Sequence, residues 1–113
     1  MRDDAAYLLD MLLAARDAEE FASGLSFRQF EQDRLRQHAI LKAIEIIGEA
    51  AAGVSAEARE QHPEIPWREI IGMRNRLVHA YFEVDAERVW ETVQRDIPKL
   101  ISDIAPLVPP PEP

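Results

Sequence analysis

The sequence predicts an all-α domain: an up-and-down bundle of four helices with one short extra helical piece. Three observations carry this. Leu, Ile, Ala, Glu and Arg dominate while glycine occurs only 4 times in 113 residues, a balance that favours helices over sheets. Apolar residues recur at helical spacing in long stretches. Between those stretches lie short connectors rich in capping and turn residues, the pattern of antiparallel helical neighbours. The length fits a single domain, and 47% hydrophobic residues can supply its core.

The first helix is predicted from Arg2 to Phe21, with Leu8, Met11, Leu12 and Ala15 on one face and Arg16, Asp17, Glu19 and Glu20 opposite. Ser23-Gly24-Leu25 ends it. Ser26 then reads as an N-cap whose capping box is completed by Gln29. The second helix is predicted as one long element from Phe27 to Ala52, apolar almost all round from Ala39 onward and stopped by Gly53. Ser55 caps a short piece, Ala56 to Gln61, and a loop follows through His62 to Pro66, where proline suits the first turn of the next helix. The third helix is expected from Trp67 to His79 or Tyr81. Asp85 caps the last, Ala86 to Ala105, which Pro98 should kink. The domain is thus expected over 1–106, with 107–113 an extended, Pro-rich, disordered tail.

Composition excludes several functions. There is no cysteine, so neither a disulfide framework nor a thiolate metal site is available. No apolar run approaches the roughly 20 residues of a membrane span, and no signal peptide is evident, so the expected setting is the cytoplasm. The formal net charge of −8 argues against a protein that coats nucleic acid, and no DNA is expected as a partner. It leaves room for an enzyme that meets RNA at one small basic cleft, for which Arg34, Arg36, Lys42, Arg74 and Arg76 are the candidates. No His pair at i,i+4, no H-E-x-x-H pattern, no glycine-rich phosphate loop and no serine nucleophile elbow occurs. No metal and no cofactor is expected.

Two groups of polar residues stand out. On the second helix Glu31, His38, Lys42, Glu45 and Glu49 fall on one face. They form either a solvated stripe, with Lys42 pairing Glu45 or Glu49, or a polar wall lining a cleft or subunit interface. On the third helix Arg74 falls inside the apolar arc of Trp67, Ile70, Ile71, Leu77 and Val78. Either it makes a structural ion pair with Glu45 or Glu49, or it is a phosphate-gripping guanidinium held in a cleft. His79 follows five residues later, about 140° away on an ideal helix. The two converge only if the helix ends between them or if sites from two subunits meet. Imidazole suits general acid–base work near neutral pH.

The segment Arg74-x4-His79-x-Tyr81, preceded by Pro66-Trp67 and followed by Asp85, resembles the signature of HepT-like toxins, helical ribonucleases of the HEPN superfamily. Ala43-Ile44-Glu45-Ile46-Ile47-Gly48-Glu49-Ala50 is similar to that family's central helix, and Pro63 to Asn75 to its approach to the motif. The resemblance covers nearly the whole chain. It implies a homodimer whose paired Arg74 and His79 residues share an interfacial cleft and cleave RNA without a metal, by attack of the ribose 2′-hydroxyl on the adjacent phosphate. His79 would then be the acid–base and Arg74 the phosphate grip. Asn75 would support them, Arg76 could add a phosphate contact or simply be solvated, and one of Glu45 and Glu49 would orient Arg74. It implies further a nucleotidyltransferase antitoxin that silences the toxin by transferring AMP onto Tyr81, the bulky anion blocking RNA. Two other readings remain open: a non-catalytic HEPN module that binds a nucleotide or assembles beside the transferase, and a purely structural bundle.

Overall fold

The computed structural model describes residues 2–78 and 83–110 of the chain. It is all-α, and its described residues contain no strand beyond one isolated antiparallel bridge between Val78 and Val84. Helix α1 runs Asp4–Ala22 and packs most extensively on α3, Arg34–Gly53. The two are antiparallel: the Tyr7 ring lies against Gly53 at one end, and the Arg36 guanidinium donates to the Phe21 carbonyl at the other. Met11, Ala15 and Ala18 of α1 face Ile40, Ile44, Ile47 and Ala51 of α3, all completely buried. Asp3 caps α1, and Gly24, at φ +80°, turns the chain after it. The Ser55 amide and hydroxyl both donate to the Asp4 carboxylate, at 2.8 and 2.7 Å. They hold its pKa below the ordinary value and tie the first helix to the third connector.

The capping box of Ser26 and Gln29 is formed as expected, but the helix it starts is short. Helix α2 covers only Phe27–Glu31, so the single element expected from Phe27 to Ala52 is two helices. The break has a local cause. Asp33 accepts from the Arg36 amide and caps α3 anew. The carbonyls of Phe30 and Glu31 take the amide of buried Gln37 instead, at 2.9 and 3.0 Å. Glu31 therefore stands outside the α3 stripe. The bend lets α2 lay Phe27 and Phe30 against Trp90.

Ser55 caps α4, Ala56–Gln61, which buries no side chain. Helix α5, Trp67–Ile71, is the larger correction, since the third helix was expected to reach His79 or Tyr81. Gly72 ends it, with its N–H bonded back to the carbonyls of Arg68 and Ile70. A 3₁₀ turn, Arg74–Arg76, follows. The final rod comprises α6, Ala86–Glu91, a π-helical turn, Thr92–Asp96, and α7, Ile97–Ile104, with Asp85 as the cap. The interruption expected from Pro98 thus appears as a widened turn just before it. A closing 3₁₀ turn covers Ala105–Leu107, and Leu107 and Val108 pack against the core, so the end expected to be extended from Leu107 begins later. Among the described residues no helix is long and apolar enough to cross a membrane.

Candidate active site

The residues before the motif explain its geometry. Met73 and Leu77, four apart, are both buried and pin the two ends of the 3₁₀ turn into the core. Between them Arg74 is half-buried while Asn75 and Arg76 are exposed. The Leu77 carbonyl accepts from the Asp85 amide at 2.9 Å, and Val78 bridges Val84, so the chain leaves and returns at one neck. His79 and Tyr81, the expected acid–base and modification residues, lie outside the described residues.

Across from the turn, α3 presents Glu45, Gly48, Glu49 and Ala52. With Ile71, Arg74 and Asn75 they line one shallow groove of about 380 Å³. The structure therefore brings together four of the residues singled out in the sequence: Glu45, Glu49, Arg74 and Asn75. It does so without the ideal-helix geometry used to place Arg74, because the helix ends at Ile71. The 140° angle drawn on an ideal helix likewise does not apply, because Arg74–Arg76 is a 3₁₀ turn and no α-helix runs through Leu77 and Val78.

The structural ion pair proposed for Arg74 is absent among the described residues. Glu45 lies 3.7 Å from Lys42 instead, the solvated contact foreseen for that stripe, and Glu49 is exposed. The Arg74 Nε is buried with no hydrogen-bond partner. Such an orphaned donor is uncommon and calls for a reason. Because that nitrogen is closed to solvent, a carboxylate or an anion in the groove meets it only after the side chain turns.

Of the other basic candidates, Lys42 comes near through its contact with Glu45, and the rest do not gather here. Arg36 is held at the far end of α3 by Asp33 and the Phe21 carbonyl. Arg76 donates through Nη2 to the Glu69 carbonyl at 2.8 Å and lines the adjoining hollows with Lys99, Arg88 and Arg95. Two carboxylates and one guanidinium thus line the groove within one chain. The carboxylates outnumber the cation, so within one chain this lining repels a track of phosphates and favours one only directly at the guanidinium. Gly48 is a lining residue that sequence reasoning passed over. Its signal was a glycine in the interior of a helix of good helix formers, a placement that needs a packing reason.

Residues 11–107 match the family described as Ribonuclease HepT-like. A protein of Thermococcus cleftensis named "Probable ribonuclease HepT" is 44% identical over 88% of this chain and 90% of its own. A Methanocaldococcus jannaschii protein with a provisional RNase name is 37% identical over 91% of this chain and 94% of its own. One from Caldanaerobacter subterraneus, also provisionally named an RNase, is 39% identical over 88% and 89%. No solved structure matches the chain.

Proposed function

Because the chain belongs to the HepT-like ribonuclease family, we propose that it is an endoribonuclease whose site is the Arg74 groove together with His79. The observation that carries this reading is the state of Arg74. Its Nε is buried and, among the described residues, unpartnered, and the side chain lines the groove, where the guanidinium would meet an anion. A phosphodiester of RNA supplies the oxygens that a planar guanidinium fits.

In the reaction proposed, the 2′-oxygen forms a bond to phosphorus as the bond to the 5′-oxygen breaks. His79 accepts the 2′-hydroxyl proton, a second His79 from a partner copy protonates the leaving oxygen, and Arg74 holds the charge that develops on the phosphoryl oxygens. No step needs a metal. Asn75 and one of Glu45 and Glu49 orient the pair. A homodimer is supported by exposed apolar side chains on the outer faces of the α1–α3 pair: Leu9, Leu13, Leu35 and Ile46, with Leu35 80% exposed.

The biological setting proposed is a toxin–antitoxin pair. A nucleotidyltransferase antitoxin moves the adenylyl group of ATP onto the Tyr81 hydroxyl, pyrophosphate leaving. The added anion beside His79 then excludes RNA. The test is cleavage of total RNA in EDTA by purified protein whose mass shows Tyr81 unmodified, with His79→Ala beside it. Cleavage by the parent protein alone supports a metal-independent nuclease using His79. Cleavage only after a divalent metal is restored removes the metal-free mechanism. No cleavage by folded protein under either condition replaces the enzyme with a non-catalytic module.

A further inference from the structure

We propose that Gly48 is a positioning residue for Arg74. By lacking a side chain it lets α3 seat against the C-terminal carbonyls of α5, and that seat sets where the 3₁₀ turn carries the guanidinium. The inference rests on the reading of Arg74 as the anion-gripping group of the site.

Gly48 is buried in the interior of α3, where alanine is the better helix former. The helix itself therefore gives no reason for glycine. The packing does. A Cβ at this position would lie 3.1 Å from the Ile71 carbonyl oxygen, 3.4 Å from that of Ile70 and 3.7 Å from the Ile71 carbonyl carbon. All three are backbone atoms, which cannot swing aside as a side chain would. The contact to the Ile71 oxygen is tighter than ordinary packing, so a methyl there presses on the end of α5 by a few tenths of an ångström.

That end is wired to the turn. The Met73 amide donates to the Ile70 carbonyl, the Arg76 amide to the Met73 carbonyl, and the Leu77 amide to the Arg74 carbonyl. Arg74 begins the turn three residues after Ile71. A displacement of a few tenths of an ångström at Ile71 has no loose segment in which to dissipate before it reaches Arg74. Gly48 also lines the groove itself with Glu45, Glu49 and Arg74, so a methyl occupies space in it. Catalytic geometry is sensitive at this scale, since misplacement by 1 Å can cost on the order of 100-fold.

Gly48→Ala in the full chain tests the idea through two readouts. The first is the Arg74 Nε–H resonance, assigned by its disappearance in Arg74→Lys. In Gly48→Ala it shifts, and its exchange with water quickens by about tenfold. The Arg59 Nε–H, bonded to the Val54 carbonyl, is the internal control and stays put. The second is RNA cleavage, where kcat falls by roughly tenfold with KM within about twofold and the melting temperature little changed.

The readouts separate the two claims. A moved Arg74 resonance with a parent protein that cuts no RNA keeps the positioning role and discards the nuclease. A parent that cuts RNA, with the Arg74 resonance unmoved in Gly48→Ala, overturns the positioning role. If Gly48→Ala does not fold, Arg74→Lys serves in reverse. A Gly48 amide resonance that ignores that exchange overturns the proposal; one that shifts upholds it.

Discussion

Replacing Arg74 by methionine should make the protein more stable and less active at once. The structure sets the sign. The Arg74 Nε is buried and unpartnered, and neither Glu45 nor Glu49 is in ion-pairing contact with it. A buried donor without a partner costs about 1–3 kcal/mol. Arg74 is only half-buried, so the lower end applies. Methionine keeps the aliphatic stem and removes the orphaned donor. The expected gain is therefore about 1 kcal/mol, equivalent to roughly 4 °C in Tm for a domain of this size. RNA cleavage should fall by about 100- to 1,000-fold, the loss typical when a group that stabilises transition-state charge is removed. Urea denaturation and initial cleavage rates on the same samples measure both. A destabilisation of about 3–5 kcal/mol would refute the reasoning, because that is the cost of stripping one partner from a buried ion pair.

Glu45→Gln and Glu49→Gln distinguish the two carboxylates that share the groove. The one that orients Arg74 during catalysis should lower kcat by about tenfold with folding intact, and unchanged rates in both variants would remove the carboxylates from the mechanism. Leu13→Glu and Ile46→Glu each put a charge on the outer face of the α1–α3 pair, where these side chains are 48% and 37% exposed. Sedimentation should show monomers with unchanged helicity and lost cleavage, whereas an intact dimer in both variants would move the interface elsewhere.

Local chemistry was the legible part of this sequence. Ser26 with Gln29, Ser55 and Asp85 all cap as read, because a capping side chain and its amide lie within three residues of one another. The breaks were harder. The run from Phe27 to Ala52 looks like one helix because its helix formers outnumber a single aspartate, yet Asp33 was the cap in plain view. The decisive contact, Gln37 reaching back to Phe30 and Glu31, exists only once the chain bends. Gly72 was a similar stop signal inside an apolar pattern whose period continued past it. The grouping of Glu45, Glu49, Arg74 and Asn75 was legible from residue types and the family likeness, even though the helical wheel that placed Arg74 was wrong. Gly48 was illegible as a site residue, because its importance lies in a backbone approach by α5 that no spacing within α3 encodes.

The π-helical turn at Thr92–Asp96 lets the last rod carry one residue more than a plain α-helix of the same phase. Val89, Val93, Ile97, Leu100 and Ile104 are all buried, and the first two steps between them are four residues long. On a plain α-helix each such step overshoots a full turn by about 40°, so Val89 and Ile97 would drift out of phase. The wider turn absorbs that excess. A chain shorter by one residue inside this stretch closes the turn to ordinary α-helix, and the span from Val89 to Ile97 becomes seven residues, about 700°, within about 20° of two full turns. Val89 then keeps its place in the core, and Trp90 its seat at 5.3 Å from Phe30. The rod therefore behaves as two screws joined by a spacer that can give up one residue without putting their threads out of register.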